Sequence, residues 1–209
     1  MTGFELGSVL YTSPMGDIDM TKITESTLPT MVDLEGGPLL NGYPKWEVQP
    51  YYTDLALRGS NFAAALDAIR AKGRTDLGLF GVVPIYSDNI WRLGPACTGV
   101  GWTGWHPANQ TLWGKINGHV DALYPCAYRE PNQPMKIWMD ALQWQVTECH
   151  NLMGWKIPIR PVLRFKNTDE VTQILVQERQ DMIDFCKYLH VDAVCLWGNP
   201  QETFMAGLQ

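Results

Sequence analysis

Four long apolar runs recur along the chain, at residues 77–86 (LGLFGVVPIY), 120–128 (VDALYPCAY), 157–165 (IPIRPVLRF) and 191–197 (VDAVCLW). Their apolar positions are continuous rather than alternating, and β-branched and aromatic side chains are frequent in them. That pattern predicts strands buried on both faces, as in a parallel sheet. A shorter run at 29–34 (PTMVDL) leads into Glu35-Gly36-Gly37-Pro38 and reads as a strand meeting a loop, and residues 4–11 supply a candidate sixth strand.

Helical periodicity fills the intervals. Residues 61–72 open on Asn61 as a cap, place Phe62, Leu66 and Ile69 on one face and stop at Gly73. Residues 135–153 align Ile137, Ala141, Trp144 and Cys149 in a stripe that ends at Gly154, and residues 169–189 are amphipathic through Val176, Met182, Ile183 and Phe185. Strands alternating with helices imply right-handed β-α units. The expected fold class is therefore α/β, an incomplete or distorted (β/α)8 TIM-like barrel with mostly parallel strands. Closing such a barrel typically takes roughly 250 residues, whereas this chain has 209. The domain reading is an N-terminal segment at 1–29 carrying one candidate strand, followed by a barrel-like domain at 30–209.

In such a fold chemistry belongs at the carboxyl ends of the strands. Residues 91–113 are Gly-rich and aromatic without a period, and predict a loop walling a cleft at that end, with Trp105 and His106 as ligand contacts.

Composition narrows the function classes. The chain is 45% hydrophobic and 18% charged, which is ordinary for a globular domain. A net charge of −6 with no Lys/Arg cluster argues against a nucleic-acid partner. No run approaches the ~18 apolar residues of a membrane span, and the first residues carry no visible secretion signal, which leaves the compartment open. Five cysteines, with no C-x-x-C pair, read as buried thiols rather than a zinc site or a disulfide framework. The four histidines lack metal-ligand spacing, and no nucleophile elbow, phosphate loop or H-E-x-x-H motif occurs, so neither metal nor cofactor is expected. Nine Trp and eight Tyr, with Trp46, Trp91, Trp102, Trp105 and Trp113 in predicted loops, suit stacking on sugar rings and suit packing beneath long loops equally well.

Asp33 and Glu35 close the 29–34 run two residues apart, so on a strand both project to one side with Cα atoms about 6.5–7 Å apart. Crowding two carboxylates raises the pKa of at least one and keeps a proton available near neutral pH. Glu35 can then serve as general acid, with Asp33 as the charge that steadies a cationic intermediate or orients a substrate group. Tyr86, Tyr124 and Tyr128 add phenols at or near strand ends, and Trp197 an aromatic floor. Asp121 and Asp192 precede their strands and read as turn residues at the opposite end of the barrel.

The order of these segments resembles the animal and venom hyaluronidases, glycoside hydrolases with a distorted barrel. VDLE at 32–35 is similar to the family's D-x-E strand end, GVVPIYSDN at 81–89 to its next, Tyr-bearing strand, and ALYPCAY at 122–128 to its A-L-Y-P-S-x-Y segment. IPIRPVLRF resembles the L-P-V-L-P strand and AVCLWG the G-V-V-L-W ending, over about 170 residues with the family's first barrel strands missing. The resemblance implies Glu35 as acid/base, Asp33 as the residue orienting a substrate N-acetyl group whose oxygen is the internal nucleophile, and Tyr86, Tyr124 or Tyr128, and Trp197 as the lining of the reacting-sugar subsite. Gly36, Gly37 and Pro38 stand where the family has Trp and Arg-Pro, and the acidic chain suits a neutral or N-acetylated glycan better than a polyanionic one.

Two readings follow. One is a glycoside hydrolase. The other is a non-catalytic glycan-binding or structural subunit of a larger assembly, such as a virion or cell-surface complex, in which a second copy or a partner chain covers the open barrel edges.

Overall fold

The structure, a computed structural model, describes residues 8–11, 23–25, 27–34, 54–85, 100–130, 132–154, 156–164 and 174–197, with the backbone alone at 8–11, 100–103 and 197. Six short strands alternate with four helices among these residues: β1 Ser8–Tyr11, β2 Thr30–Asp33, α1 Leu55–Arg70, β3 Leu77–Phe80, α2 Val100–Ile116, β4 Ala122–Tyr124, α3 Met135–Met153, β5 Val162–Arg164, α4 Val176–Tyr188 and β6 Cys195–Trp197.

The strands lie side by side in sequence order and every pair is parallel. β1 to β4 form one sheet and β5 pairs with β6. Isolated parallel bridges from Leu123 to Ile159 and from Cys126 to Val162 join β4 to the β5 segment. Sequential parallel strands with crossover helices are the staves of a barrel. Among the described residues the barrel is not closed, since no pairing joins β6 to β1.

Period two divides the core into two layers. Val32, Leu34, Leu77, Leu79, Leu123 and Leu163 face the helices, where they pack with Phe62, Leu66, Leu112, Trp138, Leu142 and Met182. Met31, Phe80, Ala122, Tyr124, Cys126 and Val162 form a second, inner cluster, against which Tyr128 and Cys195 pack. Gly78 makes room in that interior: a Cβ there would stand 2.5 Å from the Tyr124 ring and would collide with the Ala122 carbonyl.

Several expectations shift at their boundaries. The pairing in each long apolar run covers only part of it, and residues 82–85 form a turn that contains the cis Val83-Pro84 bond. α1 begins before Asn61, so Asn61 lies inside the helix instead of capping it. Gly73, at φ 83, does stop the turn after the helix. α3 has the predicted limits and ends at Gly154, while α4 begins at Val176 and residues 165–173 lie outside the described residues.

The predicted loop at 91–113 needs correction, because residues 100–113 belong to α2. Gly101, Gly104 and the internal Pro107 depress helix propensity by roughly 1 kcal/mol per Gly and 3 per Pro, and so mask the pattern. Tertiary packing of Trp105, Ala108, Leu112 and Ile116 overrides them, since all four are buried in the helix-facing core.

No described helix is long and apolar enough to cross a membrane. Cys126, Cys149 and Cys186 are buried free thiols and Cys195 is half-buried, while Cys97 lies outside the described residues. No cluster of three metal-ligating side chains occurs among the described residues.

Candidate functional site

Asp33 is the last residue of β2, two positions beyond Met31, so it shares the face that Met31 turns to the barrel interior. It is only 3% exposed, an uncommon setting for a carboxylate. Its proposed partner Glu35 lies outside the described residues, as does Tyr86.

The structure separates the two tyrosines of the ALYPCAY segment. Tyr128 packs on the inner cluster with its ring 5.5 Å from Phe80, and the Arg164 guanidinium lies 4.6 Å over the ring centroid. Burial pushes its hydroxyl well above the ordinary phenol range; Cys126 and Asp33 push the same way and Arg164 opposes them. Tyr128, Arg164 and Asp33 therefore share one electrostatic neighbourhood at the carboxyl end of the strands. Trp197 is paired with Arg164 in the β5–β6 register, which carries its backbone to the same end.

Tyr124 is engaged elsewhere. Its hydroxyl accepts a 3.0 Å hydrogen bond from Arg160 Nη1, and Arg160 grips Asp76 through two bonds of 2.7 and 2.9 Å. Asp76 precedes β3 and Arg160 precedes β5, so the Tyr124 phenol is tied to the amino-terminal side of the interior. Burial pushes its pKa up to about 12, with Arg160 opposing.

Trp105 lies on α2, 4% exposed, and its indole donates a 2.9 Å bond to the Ile85 carbonyl. It packs behind the β3 strand end and is not on a loop. His106, on the same helix, holds Glu148 at 2.8 Å. Trp113 is partly buried against the core, and Trp46 and Trp91 lie outside the described residues.

Asp121 and Asp192 act as the sequence suggests. Asp121 accepts from the Leu77 amide at 2.8 Å and from Arg70 at 2.8 Å, and Asp192 accepts from the Ile159 amide at 2.8 Å. Asp121 clips the start of β3, and Asp192 the segment that leads into β5. Sequence reasoning missed Arg164, which the period-two alternation of β5 places on the same face as Val162, and Asn109, a buried polar residue in the misread helix.

Two crystal structures of bee venom hyaluronidase resemble this chain in fold. The monoclinic form superposes with a TM-score of 0.58 at 14% identity, covering 82% of this chain and 63% of that one. The fold is hyaluronidase-like. The bee enzyme in complex with a hyaluronic acid tetramer gives a TM-score of 0.57 at 14% identity, covering 83% of this chain and 61% of that one. This chain thus spans less than two thirds of the hyaluronidase chains it resembles. No protein-family model and no curated protein sequence matches it.

Proposed function

We propose that the chain is a barrel-type glycoside hydrolase acting on a neutral or N-acetylated glycan, with Glu35 as acid/base and Asp33 as its partner. The observation that carries this reading is the buried, interior-facing Asp33 at the carboxyl end of β2 in a hyaluronidase-like fold, two residues before a second carboxylate. A solved neighbour holding a hyaluronic acid tetramer supports a glycan ligand.

In the substrate-assisted form of the reaction, Glu35 gives its proton to the glycosidic oxygen as the acetamido oxygen of the substrate attacks the anomeric carbon and the leaving sugar departs. Asp33 holds the acetamido N–H and balances the positive charge of the cyclic intermediate. Glu35, now a carboxylate, takes a proton from the water that opens the ring. Like-charge repulsion keeps one proton on the pair. Tyr128, Tyr86 and Trp197 line the reacting-sugar subsite, and Trp105 supports it from behind. Tyr124, bound to Arg160, contributes to the floor beneath it.

Hydrolysis of a panel of neutral and N-acetylated oligosaccharides, with Glu35→Gln alongside, tests the reading. Loss of about 10²–10⁴ in rate from a variant that keeps its fold is expected for a missing proton donor. A folded wild-type chain that cleaves none of them overturns it.

The second reading is favoured by one observation, the absence of a β6–β1 pairing among the described residues. On this reading the chain binds glycan without cleaving it, and another copy or a partner chain covers the strand edges. A monodisperse monomer in sedimentation rules out a second copy as that cover.

A further inference from the structure

Arg164 is the last residue of β5, two positions beyond Val162, and strand alternation turns it to the inner face that Val162 occupies. The bridge from Cys126 to Val162 joins the segment after β4 to β5. Two residues further along each segment stand Tyr128 and Arg164, so the register itself brings the phenol and the guanidinium side by side. The Arg164 guanidinium carbon lies 4.6 Å from the centroid of the Tyr128 ring, inside the ~6 Å reach of a cation–π contact. The same ring packs on Phe80, with centroids 5.5 Å apart and planes tilted by 37°.

A tyrosine meets a sugar by its flat face or by its hydroxyl. The face that Arg164 covers is closed to stacking. The hydroxyl keeps its proton, because burial holds it well above the ordinary phenol range against the opposing Arg164 charge, and so it remains a donor. A phenol hydrogen prefers the plane of its ring, so the ring plane sets the direction of the bond it donates. A guanidinium suits the task of fixing that plane: it is flat, permanently charged and stacks on an aromatic face, which a Lys ammonium covers only in part.

We propose that Arg164 is a positioning residue, which lies on the face of Tyr128 and holds the phenol as an in-plane hydrogen-bond donor to the sugar instead of a stacking surface. The proposal rests on the reading of Tyr128 as a subsite residue and deepens it by stating the contact that Tyr128 makes, a hydrogen bond to a sugar oxygen. Arg164 acts through Tyr128 and does not itself reach the glycan. Its role reads out in substrate binding more than in the proton-transfer step.

The test compares Arg164→Met, which keeps the bulk of the side chain and removes its charge and plane, with Arg164→Lys, which restores a cation. Ring flipping of Tyr128 is followed by NMR on the full chain, with Tyr128→Phe to assign its resonances. Affinity for an N-acetylated oligosaccharide is measured by titration, beside KM and kcat. Arg164→Met is expected to speed the ring flip and to weaken binding, each by roughly fivefold, the scale of one cation–π contact, and to raise KM with little change in kcat. Arg164→Lys recovers part of each. In a Tyr128→Phe background Arg164→Met weakens binding no further, because the hydroxyl it positions is gone.

If Arg164→Met does not fold, Arg164→Gln replaces it, with the same expected signs. An unchanged Tyr128 flipping rate in a folded variant overturns the proposal. So does a loss of binding that persists at full size in the Tyr128→Phe background, since it would assign Arg164 a direct contact with the glycan. A wild-type chain that binds the oligosaccharide without cleaving it, with affinity and ring flipping still changed by Arg164→Met, overturns the hydrolase reading and upholds the positioning role. A wild-type chain that neither binds nor cleaves it overturns both.

Discussion

The two ends of the strand array are built on opposite principles. At the amino-terminal end the described carboxylates beside the strands have visible work within the fold. Asp76 takes Arg160 in two bonds, Asp121 takes Leu77 and Arg70, and Asp192 takes Ile159. Asp76 adopts a left-handed backbone, φ 52, to do so, a conformation that Asp tolerates better than most residues. At the carboxyl end Asp33 is buried facing the interior, near Tyr128, whose proton is held by burial against the opposing Arg164 cation laid over its ring. One end uses its charges to fix the strands. The other gathers charge and aromatic surface at the place where barrel enzymes work.

The contrast predicts that substitutions at the two ends separate into losses of activity and losses of stability. The largest effect belongs to the carboxyl end. Asp33→Asn keeps the shape and removes the charge, and is expected to lower glycan hydrolysis about 10²–10³-fold, the scale of losing a preorganised electrostatic stabiliser. Its stability by urea titration should stay within about 1 kcal/mol of wild type. A variant that unfolds readily while retaining its rate per folded molecule would place Asp33 with the structural carboxylates.

Asp76→Ala is the counterpart at the amino-terminal end. It leaves Arg160, 7% exposed, without the partner that grips it in two bonds. Breaking a buried pair from one side costs about 3–5 kcal/mol, and the partial exposure of Asp76 puts this case at the lower limit of about 3. Activity per folded molecule should not change. Loss of hydrolysis without loss of stability would erase the division between the ends.

How much of this was legible in the sequence follows the same division. The place of Asp33 at a strand end needed only the apolar run that leads to it, while the face it takes needed the structure, and Asp121 and Asp192 were legible as turn residues ahead of apolar runs but not as the acceptors of the Leu77 and Ile159 amides. The choice between Tyr124 and Tyr128 was not legible, because both lie on the inner side of one segment and differ only in the guanidinium each ring meets, Arg160 or Arg164. α2 was hidden by Gly101, Gly104 and Pro107, whose local preference is overridden by burial of Trp105, Ala108, Leu112 and Ile116. The connection from the half-exposed His106 to the buried Glu148 and Asn109 was hidden with it.

Gly78→Ala tests the packing that joins the two ends. The new methyl group would meet the Tyr124 ring at 2.5 and 2.6 Å and the Ala122 carbonyl besides. Overpacking of this kind costs about 2 kcal/mol. Adding Tyr124→Leu removes the ring and should recover part of the loss, with the contact to the Ala122 backbone left in place. Full recovery would mean that the ring alone fills the space. A smaller change, Asp192→Ala, removes the acceptor for the Ile159 amide and should cost about 1 kcal/mol, with no effect on hydrolysis.

The smallest effect at neutral pH is one that only alkaline conditions expose. Tyr124 is raised by burial, against the opposing Arg160 charge, to about 12, while an unfolded tyrosine titrates near 10. Below pH 10 the phenol is protonated in both states and adds no pH dependence. Between 10 and 12 the unfolded chain releases a proton that the folded chain keeps, so stability falls as pH rises, and above 12 both forms are ionised. The buried Cys186 and the half-buried Cys195 start the decline earlier, since desolvation raises Cys195 to about 11 and Cys186 to about 12 from an ordinary value of 9. Tyr124→Phe should remove the Tyr124 share of the slope between pH 10 and 12, leave the share of Tyr128, which burial also raises, and leave the part below 10 unchanged. Urea midpoints measured across that range for both proteins separate the contributions. Identical slopes would mean that the phenol is not sealed against Arg160, and that Tyr124 is free to turn toward the same end as Tyr128.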